Sequence, residues 1–168
     1  MAGTAVQQPI VRHRPKGVVR ISVACATDAT ADGGDITERV IGEAYGRIVG
    51  CFSDGGFDAS AVITVSQAAT DPGATVGAPL FTYTTGTEGT PAAFRPTKNV
   101  TDLAGTNVTA GDGSGGAGTG NDVMRDIFAA GKLTIKVDNM GVSETGLFVI
   151  LVDESSSLGS LHDASYLS

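Results

Sequence analysis

Tryptophan is absent from this 168-residue chain, and aromatic residues make up only 5% of it. Histidine and cysteine occur twice each. A hydrolytic triad needs a histidine that the scaffold holds in place as a base, and a structural zinc site needs several histidine or cysteine ligands close together. His13 and His162 lie near opposite ends of the sequence. We therefore predict a protein with no catalytic constellation, no cofactor and no metal site.

Long apolar runs are absent as well. No stretch approaches the roughly eighteen consecutive apolar residues that a membrane-spanning helix needs. The first residues lack the apolar core of a secretory signal, which predicts synthesis in the cytoplasm. Because the cytosol keeps thiols reduced, we expect Cys25 and Cys51 to be buried free cysteines.

Positive charge is scarce outside the N-terminal segment. The formal net charge is -7, yet the first 20 residues contain four cations and no acid, so they carry +4 while the rest of the chain carries -11. An acidic body argues against direct binding to nucleic acid, where cations must displace the counterions of the phosphates. A cationic, proline-containing segment suits an acidic groove on another protein. The predicted partner-binding residues are Arg12, Arg14, Lys16 and Arg20.

Small and β-branched residues make up much of what is present, including 24 glycines. Apolar and polar residues alternate with a period of two at 18–27, 61–67 and 132–139, which predicts half-buried strands. The continuous apolar run at 146–153 predicts a strand that is buried on both faces. Together these patterns predict an all-β fold, an antiparallel β-sandwich or jelly roll with one short helix and an extended N-terminal arm.

The domain prediction has three parts. Pro9 and Pro15 exclude helix from the first 17 residues, which are predicted to form the extended arm. Residues 18–154 are predicted to form a single β-sandwich domain that contains a Gly-rich loop at 111–120. A polar C-terminal tail is predicted at 155–168.

Three local predictions concern shape and pairing. Glycines at four-residue spacing in 36–54, among charged residues, predict a strand with bulges that forms a hairpin with 61–67. Asn121 as N-cap and Gly131 past the last turn predict a short helix over 121–132. The segments 132–139 and 146–153 are predicted to be strands on either side of a turn at 141–145.

The segment GDGSGGAGTG at 111–120 matches the G-x-G-x-x-G fingerprint of dinucleotide-binding proteins twice. That fingerprint works only where a parallel strand leads directly into a long helix, whose N-terminus then faces the pyrophosphate. The helix predicted here is too short, and the chain has no alternating strand–helix rhythm. We interpret the segment as a surface loop.

Several segments in order resemble small virion structural proteins of tailed bacteriophages. They are an opening strand and hairpin, LFTYTT at 80–85, the proline-containing stretch FRPTKNVTDLAGTNVT at 94–109, and GKLTIKVDNMGVSETGLFVILVDE at 131–154, which the resemblance implies is a closing hairpin. The resemblance covers roughly residues 18–154. It implies a non-enzymatic capsid cement or decoration protein that is made in the host cytoplasm and lies on the outer surface of the capsid. The implied partners are the major capsid protein and further copies of this chain, as a dimer or trimer.

Two alternatives stay open at this point. Neck, tail and fibre proteins of virions share small β folds, so the same resemblance fits those positions. A carbohydrate-binding β-sandwich module is the alternative from a different class, but such modules rely on exposed aromatic rings, which are few in this sequence.

Overall fold

The structure is a computed structural model, and it describes residues 3–7, 11–13, 17–28, 35–68, 78–99 and 124–155. Every element in these ranges is a strand, and all pairings are antiparallel, which confirms the predicted all-β fold. The strands are β1 Thr4–Gln7, β2 Val11–His13, β3 Val18–Ala26, β4 Ile36–Ser53, β5 Val62–Gln67, β6 Ala78–Thr84, β7 Ala92–Phe94, β8 Thr97–Asn99, β9 Met124–Asp126, β10 Phe128–Asp138 and β11 Thr145–Asp153.

Strands from the two ends of the chain interleave in the main sheet. Its order is β1-β3-β11-β4-β10-β5-β6, with β2 beside β3 and β7 beside β4, while β8 and β9 form a separate pair. The predicted hairpin of 36–54 with 61–67 and the implied closing hairpin are therefore both wrong. β10 lies between β4 and β5, and β4 lies between β10 and β11. The alternation of apolar and polar residues predicts which side of each strand is buried, but it does not predict which strands lie next to each other.

β4 runs for 18 residues and belongs to both halves of the sheet. Its first part pairs with β10, and its last part pairs with β11 on the opposite edge. The register shifts by one residue on β4 at three places, between Ile36 and Arg39, at Ile41 and at Val49, so the predicted bulges are confirmed. Bulges increase local twist, which lets one long strand turn from one layer of the fold to the other.

The predicted helix at 121–132 is wrong. From Met124 onwards the chain forms β9 and β10. In β10 the side chains alternate between exposed and buried except at Thr134, which is also buried, and Ala129, Leu133, Ile135 and Val137 lie inward. The two inward positions that follow Ile127 are Ala129 and Gly131, which have small or no side chains, so the alternation of apolar and polar residues is weak there. An alanine-containing run that ends in glycine is also typical of a helix with its C-terminal cap.

The N-terminal segment is extended, and its described parts pair with β3. β1 pairs with Val23–Ala26 and β2 pairs with Val18–Arg20, both on the edge of β3 opposite β11. The last pair of the β1 ladder is Gln7 with Val23, and the first pair of the β2 ladder is Val11 with Arg20. The sequence number therefore changes by four on the N-terminal side and by three on β3, so the register differs by one residue between the two ladders. The boundary between arm and domain at residue 17 stays a prediction.

A single apolar core fills the space between the two halves of the sheet. It includes Ile21 and Val23 of β3, Ile150 of β11, and Ile63 and Leu133 from the other half. The rings of Tyr83 on β6 and Phe148 on β11 lie 6.4 Å apart between centroids, although three strands separate β6 from β11 in the sheet order. The sheet therefore folds over on itself, in agreement with the predicted sandwich or jelly roll.

Both cysteines lie in this core as free thiols, as the sequence predicted. Burial raises the pKa of Cys25 and Cys51 to about 12, with Asp54 adding to the rise at Cys25. Because the thiolate is the reactive form, we expect neither cysteine to react with iodoacetamide at pH 8 in the folded protein, and both to react in denaturant. Mass spectrometry after timed labelling checks this. Rapid labelling of either residue under native conditions would contradict the burial.

Candidate protein-binding surface

The outer side of the β4–β10 ladder presents the most prominent exposed aromatic surface in the described residues. The register pairs Arg47 with Phe128, Tyr45 with Ala130 and Glu43 with Lys132, and directly paired residues share one side of a sheet. We define the Tyr45–Phe128 face as these six residues.

The two aromatic rings of this face point into solvent. Tyr45 is 51% exposed and Phe128 is 57% exposed. The Tyr45 hydroxyl donates a hydrogen bond to Glu43 Oε1. This hydrogen bond to a carboxylate, with its negative charge, raises the pKa of Tyr45 above its ordinary value. Tyr45 is thus held as a neutral phenol with an apolar ring and one polar end.

The backbone beneath the face is fixed by Gln67 at the end of β5. Its side-chain oxygen accepts a hydrogen bond from Ala130 N, and its amide nitrogen donates one to Lys132 O, both at 3.0 Å. Between these two bonds lies Gly131, at a φ of 126° that favours glycine. Gln67 therefore holds β10 in place where its backbone departs from regular strand geometry, and the face above it is preformed.

Two grooves flank the face. One of about 490 Å³ is lined by Pro79 and Leu80 of β6 and by the segment 125–128. The other, of about 360 Å³, lies between Tyr45, Gln67 and Lys132. Preformed hollows beside exposed rings can receive side chains from a protein partner, and such contacts carry much of the binding energy in protein interfaces.

A charged network borders the same face. Arg47 lies 3.4 Å from Asp126 and 3.6 Å from Asp153, while Arg95 lies 2.6 Å from the second oxygen of Asp126. Hydrogen bonds from the hydroxyl and backbone N–H of Ser155, with Arg47 nearby, hold the pKa of Asp153 below its ordinary value. These ion pairs hold β9 and the end of β11 against β4. They also keep Arg47 in the same face as the rings of Tyr45 and Phe128.

The predicted partner-binding cations are only partly described. Arg12 lies in β2, where its backbone pairs with Val19, and Arg20 lies in β3 with an exposed side chain. Arg14 and Lys16 lie outside the described residues, as do the Gly-rich loop at 111–120 and residues 156–168 of the predicted tail. The role of these cations stays a prediction.

Within the described ranges, no three His, Cys, Asp or Glu side chains group closely enough to hold a metal ion. No helix in the same ranges is long and apolar enough to span a membrane. The Gly-rich segment is followed by strands at 124–126 and 128–138, so the described chain after it lacks the helix that a dinucleotide site requires.

Tyr45 and Phe128 are not among the partner-binding residues predicted from the sequence. One signal could have found Phe128, because it lies in phase with Lys132 and Lys136, the outward residues of the alternating strand. Reading 121–132 as a helix placed it on an apolar helix face instead.

Comparison with known proteins gave no match: no family model matches the chain, and neither curated proteins nor solved structures resemble it significantly.

Proposed function

We propose that this chain is a non-enzymatic structural protein of a phage virion, a cement or decoration protein that binds the outer capsid shell and stabilises contacts between major capsid protein subunits. The observation that carries the proposal is the Tyr45–Phe128 face. It combines tyrosine, phenylalanine and arginine on a preformed sheet, a composition typical of the energetic centre of protein interfaces.

The remaining architecture suits such a role. A protein that stabilises a shell must itself be stiff, and long antiparallel strands around one apolar core supply that stiffness. Binding to a repeating lattice needs only moderate affinity per copy, because several linked contacts multiply their effect. The four N-terminal cations supply a second contact, toward acidic groups of capsid subunits.

The test of this proposal is binding to particles that lack the protein. We expect wild-type protein to co-sediment with such particles in a fixed ratio. Tyr45→Ser combined with Phe128→Ser should lower the affinity at least about tenfold, because truncating central interface aromatics commonly costs about 2 kcal/mol or more. Both side chains are exposed, so the variant should keep its unfolding temperature.

The matched control is Val142→Ser. Val142 is also an exposed apolar side chain, but it lies in the connection between β10 and β11, outside the face. This control should bind as the wild type does. Full binding by the double variant would exclude the face as the shell contact. Wild-type protein that ignores the shell but binds neck, tail or fibre components would move the proposal to that alternative.

A further inference from the structure

The groove beside Phe128 has apolar walls and a charged rim. It is lined by Pro79 and Leu80 of β6 and by the segment 125–128, and its volume is about 490 Å³. We name it the Arg125 groove. Ile127 is buried and Leu80 packs against the core, whereas Pro79 is exposed and Phe128 is 57% exposed. Phe128 belongs both to this groove and to the Tyr45–Phe128 face, so a protein that binds the face also meets the groove.

The acidic residue of the groove is already neutralised. Asp126 accepts hydrogen bonds with both carboxylate oxygens, from Arg95 Nη2 at 2.6 Å and from Arg47 Nη1 at 3.4 Å. Arg47 also lies 3.6 Å from Asp153. The two arginines therefore balance the two aspartates, and Asp126 does not exclude an anionic side chain from the groove.

Arg125 is the cation of this groove that is left without a counter-charge. Its side chain is exposed, and within the described residues it makes no hydrogen bond or ion pair. The guanidinium is a planar group whose N–H donors match the two oxygens of a carboxylate. At the rim of an apolar groove it therefore offers a position for a carboxylate of a partner.

Positive charge is concentrated around this groove, although the body of the chain is acidic. After residue 20 the sequence contains seven basic and eighteen acidic residues, which gives -11. Among the described residues, four of these cations and three acids lie on the Tyr45–Phe128 face or at the groove, a local charge of +1. The cations are Arg47, Arg95, Arg125 and Lys132, and the acids are Glu43, Asp126 and Asp153. An anionic partner is therefore attracted to this area and repelled by the rest of the body.

We propose that the Arg125 groove receives an acidic segment of the partner protein, in which an apolar side chain enters the groove and an aspartate or glutamate two residues away pairs with Arg125. In an extended segment, residues two apart lie on the same side, about 7 Å from each other. One of them can therefore fill the groove while the other reaches the arginine at its rim. The partner is the shell protein of the proposed function, so the inference rests on that proposal and names the chemistry that the face recognises.

The first test uses particles that lack the protein and compares charge reversals at two exposed arginines. Arg125→Glu should lower the affinity for the particles about fivefold or more at low salt, because an attraction becomes a repulsion. Arg39→Glu changes the net charge equally, at an exposed position of β4 outside the face, and should stay within about twofold of the wild type. The difference should shrink at about 0.5 M salt, which screens exposed charges. Wild-type binding with equal losses for both variants would overturn the inference and leave the proposed function standing.

The second test needs no particles. The probe is a short acetylated peptide of glycine and serine that carries one leucine, with an aspartate two residues away on each side, and its counterpart has asparagine in place of aspartate. Titrated into isotopically labelled full-length protein, the aspartate peptide should shift the backbone amide resonances of Leu80 and Phe128 most. It should bind about threefold or more tightly than the asparagine peptide, and Arg125→Gln should remove that preference.

Equal affinity for the two peptides would overturn the inference. Shifts confined to β2 and β3 would also overturn it, and would assign the recognition of acids to the N-terminal cations. A chain ending at Ser155 that binds the aspartate peptide much more tightly than the full chain would assign the groove to residues 156–168 instead. A protein that binds the aspartate peptide at the groove but ignores the particles would support acid recognition and contradict the shell proposal, so the two failures are distinguishable.

Discussion

Replacing Gly46 by alanine should destabilise the fold by about 3 kcal/mol or more, because the added methyl group has no space. A Cβ at this position would lie 2.1 Å from the carbonyl oxygen of Asp153 and 2.9 Å from Cα of Glu154, both of which are backbone atoms. The φ of Gly46 is 153°, a conformation that other residues rarely adopt. Either β4 or the end of β11 must therefore move.

That movement would break further contacts. The backbone N–H of the neighbouring Tyr45 donates to Glu154 Oε1 at 3.0 Å, and Glu154 is buried. Displacing the end of β11 separates these groups and leaves a carboxylate in an apolar environment with one partner fewer, which adds to the cost. Urea unfolding followed by circular dichroism measures the change in the free energy of unfolding.

The control for this substitution lies four residues along the same strand. At Gly50 a Cβ would meet only Leu151 Cδ1 and Phe94 O, at 3.8 and 3.9 Å. Gly50→Ala should be neutral or stabilise by up to about 1 kcal/mol, since alanine reduces the freedom of the unfolded chain. Equal losses for both variants, measured at low protein concentration, would show that steric contact with β11 is not the cause.

Truncating Phe148 to alanine should cost about 3–5 kcal/mol, the usual range for a fully buried aromatic side chain. Phe148 is 0% exposed, and its ring centroid lies 6.4 Å from those of Tyr83 and Phe94. These rings come from β11, β6 and β7, so this cluster joins strands that are distant in the sheet order. Its loss leaves a cavity where the two halves of the fold meet.

The matched variant is Phe128→Ala, at a phenylalanine exposed on the outer face of β10. Its cost should stay within about 0.5 kcal/mol, as is usual for surface positions. Phe148→Leu should fall between the two, because it keeps most of the buried volume. Thermal and urea unfolding of the three variants give the comparison. A cost at Phe148 as small as that at Phe128 would contradict the folding of β6 over β11.

The faces of individual strands could be predicted from the sequence because burial follows the alternation of side chains. The alternation at 18–27 predicts that Ile21, Val23 and Cys25 share one side of β3, and all three are buried. Strand partners could not be predicted in the same way. β4, β5 and β10 have compatible patterns, so alternation alone permits a hairpin of β4 with β5 as readily as the observed insertion of β10.

The candidate surface was harder to predict than the fold. An exposed apolar residue can be recognised in a sequence only when the alternation of its strand is known, and the pattern at 121–132, which contains Phe128, predicts a helix instead. Tyr45 lies between the bulges at Ile41 and Val49, where the alternation of β4 is interrupted. The continuous apolar run at 146–153 predicts burial on both sides of β11. On the side away from the core cluster, Val149 is 4% exposed and Leu147 and Leu151 are half-buried, so the prediction is met at Val149 and partly met at the two leucines.

The interleaved strand order has a consequence for the nascent chain. A ribosome releases β3, β4 and β5 well before β10 and β11, yet among the described strands it is β10 and β11 that fill the spaces between them. Before residue 153 emerges, the earlier strands have native edges without native neighbours, and such edges can pair with other chains. The sheet therefore cannot be completed until β11 has been synthesised, and ladders between distant parts of the chain form slowly. Yield in the cell should accordingly depend on how long β3 and β4 remain separate before β11 inserts between them.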